Sequence, residues 1–138
     1  MTIEERNAVR QKIAAKAEIT GVIFSAPGIR SMLNEYAEEA RASAKKAEQA
    51  NAIPSDEERE SKKRELTVQL AGVAQRLIAR IIKEAPDELD LLASLDTGKS
   101  IDELYALDED ELQTVYTRVF SEDILNFFMQ KRRSDDPR

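Results

Sequence analysis

The sequence predicts an all-α fold, with a long antiparallel helical hairpin and a compact C-terminal cluster of short helices. Its 138 residues include only four Gly and four Pro and are rich in Ala, Glu, Lys, Arg and Leu, which are strong helix formers. No stretch alternates apolar and polar residues for long enough to indicate a strand. We expect one domain over residues 1–130 and, because the basic end has no apolar anchor, a flexible tail over 131–138.

The first helix is predicted to begin at Thr2. Thr2 and Glu5 have the spacing of a capping box, in which the hydroxyl accepts from one free amide of the first turn and the carboxylate accepts from another. The helix is expected to fade near Thr20–Gly21. Residues 22–24 (Val-Ile-Phe) are too few for periodicity to decide between helix and extended chain. We interpret them as a buried connector.

Two long helices are predicted to form the hairpin. Pro27 suits the first turn of the second helix, which is expected to run to about Ala50. Ser55 and Glu58 form another capping box and start a third helix that is expected to reach Ala85. Apolar residues of the second helix recur at spacings of three and four and shrink toward its end: Ile29, Leu33, Tyr36 or Ala37, Ala40, Ala44 and Ala47.

The third helix is predicted to change character along its length. Residues 56–65 contain no apolar side chain, whereas a continuous apolar stripe follows, which we expect to be buried. Its members are Leu66, Leu70, Val73, Leu77 and Ile81. This pattern indicates a hairpin that projects from the core, with a buried base and a solvated tip.

The net negative charge of the chain lies in residues 86–130. This segment has twelve acidic residues and only Lys99 and Arg118 as basic ones, a net charge of −10. It also holds five of the seven aromatic residues, namely Tyr105, Tyr116, Phe120, Phe127 and Phe128. We therefore expect the two parts of the chain to have different roles.

Short capped helices are predicted to account for much of this acidity. Pro86 is expected to open the first of them. Residues 100–103 (Ser to Glu) and 108–111 (Asp to Glu) have N-cap spacing, and Ser121 is predicted to start the last helix. Acids in first turns interact favourably with the helix dipole. Much of the charge therefore needs no functional explanation.

The composition excludes most familiar catalytic chemistry. The chain has no Cys and no His, which removes disulfides, thiolate zinc sites and nucleophile pairs that need either residue. Its net charge of −6 argues against direct nucleic-acid binding through phosphates. No apolar run approaches the roughly 20 residues of a membrane span, and the first residues do not resemble a signal peptide. We expect a cytoplasmic protein that is not an enzyme, does not contact a membrane and needs no cofactor or metal.

Two pairs of carboxylates are candidate ligands for a magnesium ion. Glu35 with Glu38 and Glu84 with Asp87 resemble the metal-binding pairs of all-α nucleotide pyrophosphatases. Their separation of 49 residues is longer than in that family, and Pro86 interrupts the second pair. We interpret both pairs as solvated helix faces.

Residues 96–100 (Asp-Thr-Gly-Lys-Ser) contain fragments of two catalytic motifs. Asp-Thr-Gly occurs in aspartic proteases, which need two such loops between strands. Gly-Lys-Ser ends a P-loop, but Ala93 stands where the first glycine is required. A turn after one helix and an N-cap for the next explain the same residues.

A resemblance to a known family begins at Leu77. The segments that carry it are 81–86 (Ile-Ile-Lys-Glu-Ala-Pro), 92–95 (Leu-Ala-Ser-Leu), 97–104 (Thr-Gly-Lys-Ser-Ile-Asp-Glu-Leu), Leu107, Leu112 and 120–128, which ends in a double Phe. In this order they resemble the C-terminal helical segment of tail assembly chaperones from long-tailed bacteriophages, over about residues 77–130. Residues 1–76 take no part in the resemblance.

The resemblance implies a non-catalytic protein that binds the long helical tape-measure protein and keeps it soluble until tail-tube subunits assemble around it. It also implies self-association and, in many members, a frameshifted longer form. We place the partner contact on four aromatic residues, Tyr116, Phe120, Phe127 and Phe128. Phe127 and Phe128 point about 100° apart on a helix, so at least one should lie near the surface. Alternatively, each of the four is a core residue of the last two helices.

The charge asymmetry supports a second hypothesis from another class of protein. An acidic face over residues 86–130 could mimic nucleic acid and block the basic groove of a host nuclease or polymerase. Such mimicry needs acids spread over an exposed face, whereas most of these acids lie in the first turns of capped helices. We therefore prefer the chaperone.

Overall fold

The computed structural model describes residues 1–135, with side chains described through residue 130. All regular structure in this range is helical, so the predicted all-α fold is confirmed. The elements are α1 (Ile3–Ser25), α2 (Pro27–Ala50), α3 (Asp56–Glu84), α4 (Pro86–Thr97), α5 (Ile101–Tyr105), α6 (Glu109–Val119), a π-helical segment (Phe120–Leu125) and α7 (Asn126–Asp135).

Helices α2 and α3 form the predicted hairpin and share the most extensive helix–helix contact of the described chain. Its base is fully apolar, with Ile29 and Leu33 of α2 and Leu77 and Ile81 of α3 inaccessible to solvent or nearly so. Toward the tip, Ala50 of α2 and Leu66 of α3 are still buried, whereas most side chains of residues 56–65 are exposed. The base of the hairpin therefore holds the two helices together, and the tip is solvated.

Leu70 differs from the predicted stripe because it is only half-buried. The part of α2 beside it carries Ala42 and Ser43, which are too small to close the gap between the helices, and a small cleft remains there. Ala44, a member of the apolar pattern of the second helix, is exposed. Small residues thus leave a local gap beside Leu70 in the distal half of the hairpin.

One contiguous core joins the base of the hairpin to the C-terminal helices. Buried residues of α1, α2 and α3 contact those of α4, α5 and the last helices in a single cluster. The C-terminal members of this core are Leu89, Leu92, Ala93, Leu104, Val119, Phe120, Ile124 and Phe128. Residues 86–130 therefore pack against the hairpin through their apolar side chains, and most of their acidic side chains are exposed.

The predicted end of the first helix is wrong. Helix α1 continues through Gly21 and the expected connector to Ser25, and it buries Ile23 and Phe24 while Val22 faces solvent. The true end is set by Pro27, because the residue before a proline is disfavoured in a helix. Ala26 accordingly adopts the extended backbone that separates α1 from α2.

The predicted helix start at Ser121 is also wrong. The chain stays helical from Glu109 to Asp135, and six residues from Phe120 form a π-helical segment instead of a break. An N-cap requires extended backbone, whereas Ser121 lies inside the π-helical segment. Continuity through this segment lets Phe120, Ile124 and Phe128 all reach the core.

Four of the five predicted N-caps agree with the structure, and the reciprocal carboxylate bond of a complete capping box is present at one of them. The backbone N–H of Glu5 donates to Thr2, that of Glu58 to Ser55 and that of Glu111 to Asp108, while Ser100 and Glu103 form a complete capping box. Gly98 has a left-handed φ of 72° and ends α4, which confirms the turn interpretation of residues 96–100.

The predicted tail at 131–138 begins within α7, whose last residues are 131–135. Residues 136–138 lie outside the described residues, and the flexibility of the tail stays a prediction. Among the described helices, none is long and apolar enough to cross a membrane.

Replacing Leu77 by Ala is expected to lower the free energy of unfolding by about 2–5 kcal/mol, because a packed site cannot fully close around the lost side chain. Leu77 is completely buried in the core. The measurement is urea denaturation followed by circular dichroism. Val68, on the same helix but 70% exposed, is the matched control, and Val68→Ala is expected to change the free energy by at most about 0.5 kcal/mol. Equal effects of the two substitutions would contradict the assigned core.

Candidate functional site

An open apolar groove of about 400 Å³ lies between α3 and α6. We call it the α3–α6 groove. It exists because α3 is apolar on two adjacent faces near its end. Leu77 and Ile81 point into the core, and their neighbours Ile78 and Ile82, about 100° further around the helix, line the groove. Ile82 is 40% exposed, so the described helices leave this second face partly uncovered.

The opposite wall of the groove is one face of α6. Glu109, Leu112 and Tyr116 recur at spacings of three and four and line it together. Asp108 fixes the start of this helix, because its carboxylate accepts a hydrogen bond of 2.8 Å from the backbone N–H of Glu111. The groove therefore has an apolar floor and a polar, acidic edge.

A buried carboxylate holds Tyr116 in the groove wall. Asp90 of α4 is almost fully buried and accepts hydrogen bonds from the hydroxyls of Tyr116 at 2.5 Å and Tyr105 at 3.0 Å. Burial and the adjacent Asp90 carboxylate raise the pKa of Tyr116, and the hydrogen bond to Asp90 raises the pKa of Tyr105. Both phenols therefore remain neutral donors that tie α5 and α6 to α4.

The four aromatic residues predicted to contact a partner do not lie on one surface. Tyr116 lines the α3–α6 groove, whereas Phe120 and Phe128 are buried in the core. Phe127 is 37% exposed, in agreement with the expectation that one of the adjacent pair lies near the surface. Phe24 of α1 packs against the rings of Phe127 and Phe128 at centroid distances of 5.9 and 5.6 Å. A partner-binding role for these four residues stays a prediction.

The groove residues that sequence reasoning missed are mainly aliphatic. Ile78 and Ile82 directly follow two members of the predicted α3 stripe, and Leu112 was noted only as part of a motif. The available signal was that α3 carries more apolar residues near its end than one buried face requires.

A second polar cluster joins α1, α4 and the π-helical segment. The ammonium of Lys16 forms ion pairs with Asp96 and, at 3.2 Å, with Asp123. We call these three residues the Lys16 cluster. One oxygen of Asp96 and one of Asp123 are buried without a hydrogen-bond partner. A single ammonium therefore leaves the two carboxyl groups incompletely paired.

Burial and the neighbouring Asp96 raise the pKa of Asp123 to about 7. Burial also acts on Asp96 and Lys16, but mutual hydrogen bonds and charge attraction outweigh it, so the pKa of Asp96 is lowered and that of Lys16 is raised. A proton on Asp123 can be donated to Asp96. The cluster is therefore most favourable when Asp123 is protonated.

The two candidate magnesium pairs lie apart from this cluster. Glu35 and Glu38 are exposed on α2, and Asp87 is exposed in the first turn of α4. Glu84 accepts from Arg80 at 2.6 Å. Among the residues that the structure describes, no three acidic, histidine or cysteine side chains are grouped so that they could hold a metal ion. The absence of catalysis stays a prediction.

Comparison of the chain with known proteins gives no match to a protein-family model, a curated protein or a solved structure. The resemblance to tail assembly chaperones is therefore carried by the motifs of residues 77–130 alone.

Asp123 is expected to make the fold less stable as the pH rises from about 4 to about 7. Its folded pKa of about 7 lies above its ordinary value of 3.8, so folding takes up a proton in this interval and the stabilisation is lost as the pH rises through it. Asp123→Asn is neutral at every pH, and its melting temperature should rise relative to the wild type between pH 5 and pH 8.

The matched control is Glu122→Gln, which removes an exposed neighbouring carboxylate and should keep the wild-type pH profile. Melting curves by circular dichroism across this range provide the measurement. Wild-type and Asp123→Asn profiles that run parallel would contradict a raised pKa.

Proposed function

We propose that this protein is a non-catalytic assembly chaperone that binds an amphipathic helix of a long helical protein in the α3–α6 groove and keeps that protein soluble. The observation that carries the proposal is the groove itself. It is open to solvent, its lining is largely apolar, and Ile82 on its α3 wall remains 40% exposed. Unpaired apolar surface of this kind is typical of a protein-binding site.

The dimensions of the groove suit a helix. Its α3 wall extends from Gln75 to Ile82, which corresponds to about 11 Å along the helix axis, or two turns. A helix lying in such a groove inserts apolar residues at spacings of three and four. Ile78, Ile82 and Leu112 offer contacts for two or three of these anchors.

The edge of the groove is polar, which suits a client that binds and is later released. Gln75, Gln113 and Thr117 border the apolar surface together with Glu109. Polar edges are usual at non-obligate interfaces, where the centre supplies most of the binding energy and the edge remains hydrated. A chaperone needs such a contact because it must give up its client when assembly proceeds.

The tape-measure protein of a long-tailed phage is the client that we propose. Residues 77–130 resemble tail assembly chaperones, and both walls of the groove lie almost wholly in this segment. A tape-measure protein is long and helical, so it presents many amphipathic faces that need cover before the tail tube forms around it. The chaperone would act in the cytoplasm of the host.

The nucleic-acid mimic receives less support from the structure. Asp96 and Asp123 are paired with Lys16, Asp90 is buried under two tyrosines, and Glu103 and Asp108 cap helices. These five of the twelve acids in residues 86–130 are engaged within the fold, which reduces the negative charge available to a partner. We therefore do not propose that function.

Co-expression with the long helical protein encoded directly downstream is the test. The wild type is expected to keep that protein in the soluble fraction and to co-purify with it. Ile82→Glu places a charge in the apolar groove and should reduce co-purification at least tenfold, which corresponds to about 1.4 kcal/mol.

Val68→Glu is the matched control, because it makes the same change on an exposed face of the same helix, outside the groove. Circular dichroism must show that both variants keep the wild-type helical content. The chaperone proposal fails if the wild type neither solubilises nor binds the downstream protein. The groove is misassigned if Ile82→Glu binds as well as Val68→Glu.

A further inference from the structure

The first half of α1 extends from the rest of the protein without burying a side chain. Residues 1–14 are all exposed, and burial along α1 begins only at Ala15. We call residues 3–14 the N-terminal arm. A helical segment of this length gains little stability from its own hydrogen bonds, and most helices in proteins depend on packing of an apolar face.

The arm carries an apolar face that has no partner. Val9, Ile13, Ala17, Thr20 and Phe24 follow one another at spacings of three and four and so share one side of α1. Thr20 and Phe24 are buried in the body of the protein, whereas Val9 is 43% and Ile13 is 61% exposed. The arm therefore continues the core-facing side of α1 beyond the core.

The charges around this face indicate what can cover it. The arm carries Arg6, Arg10 and Lys12 around this face, and its two acids, Glu4 and Glu5, lie in its first turn. Two arms packed in parallel would oppose like charges, which is unfavourable. An apolar surface with acidic residues at its edge is the complementary partner.

The α3–α6 groove of the same chain has this chemistry. Ile78, Ile82 and Leu112 give it an apolar lining, and Glu109 stands at its edge. Four consecutive acids, residues 108–111, begin the α6 wall. One turn of the arm separates Val9 from Ile13 by about 6 Å, which fits within the roughly 11 Å of the α3 wall.

We propose that the N-terminal arm of one copy lies in the α3–α6 groove of a second copy, with Val9 and Ile13 against Ile78, Ile82 and Leu112. Exchange in both directions gives a closed pair related by two-fold symmetry, in which each contact is made twice. This pairing of two copies requires the α3–α6 groove but does not require the client protein proposed above. A client helix would have to displace the arm.

Sedimentation equilibrium of the full chain tests the proposal. The wild type is expected to have twice the 15.6 kDa mass of one chain. Ile13→Glu in the arm and Ile82→Glu in the groove should each give the mass of a single chain. Val22→Glu is the matched control, because Val22 is exposed on the opposite side of α1 and its substitution should leave the pair intact.

A wild-type mass of one chain would overturn the proposal, as would an Ile13→Glu variant that remains paired. Circular dichroism is required to show the wild-type helical content for every variant, and the exposure of all three positions makes this the expected result. The measurement needs no client, so failure of client binding does not affect it.

Engineered cysteines identify the contact, since the chain has no Cys of its own. A Val9→Cys copy and a Leu112→Cys copy are mixed under mild oxidation. A disulfide between the two different copies is expected to be the main product, with little cross-linking of either copy alone. Predominant Val9→Cys pairs would show arm-to-arm packing and would overturn the proposal.

Discussion

The structure depends on the final turns of α3, where two adjacent faces of one helix are apolar. Leu77 and Ile81 bury one face in the core and fix the hairpin to the C-terminal helices. Ile78 and Ile82 form the second face, which the chain covers only in part and which becomes the floor of the α3–α6 groove. The core and the groove therefore both depend on residues 77–82. A substitution on one face of this segment lies close to the other face.

The acidic segment shows how a strong charge can be largely structural. Helix starts place carboxylates next to free backbone amides, where they accept hydrogen bonds and interact favourably with the dipole. Glu103 and Asp108 do this, and hydrogen bonds to the helix starts lower the pKa of both side chains. Asp90 and the Lys16 cluster draw further acids into the packing between helices. Net charge alone would have assigned these residues to a binding surface.

Sequence reasoning predicted the elements that local chemistry determines. The hairpin, its buried base and the caps at Thr2, Ser55 and Ser100 follow from short-range patterns of polarity and hydrogen bonding. The extension of α1 and the π-helical segment did not follow, because tertiary contacts of Phe24 and Phe120 outweigh the local signals for a break. The burial of Phe120 and Phe128 did not follow either, since only packing decides which aromatic side chains are buried.

Two apolar helix faces stay partly exposed in the described part of the chain. The face of Ile78 and Ile82 lies open beside α6, and the face of Val9 and Ile13 continues past the end of the core. Each face is too small to drive collapse into a larger core, yet each exposes aliphatic surface that gains from being removed from water. Because one face is bordered by cations and the other by acids, their charges distinguish suitable partners from unsuitable ones. The contacts within the described chain therefore leave two apolar faces on which another helix could be accommodated.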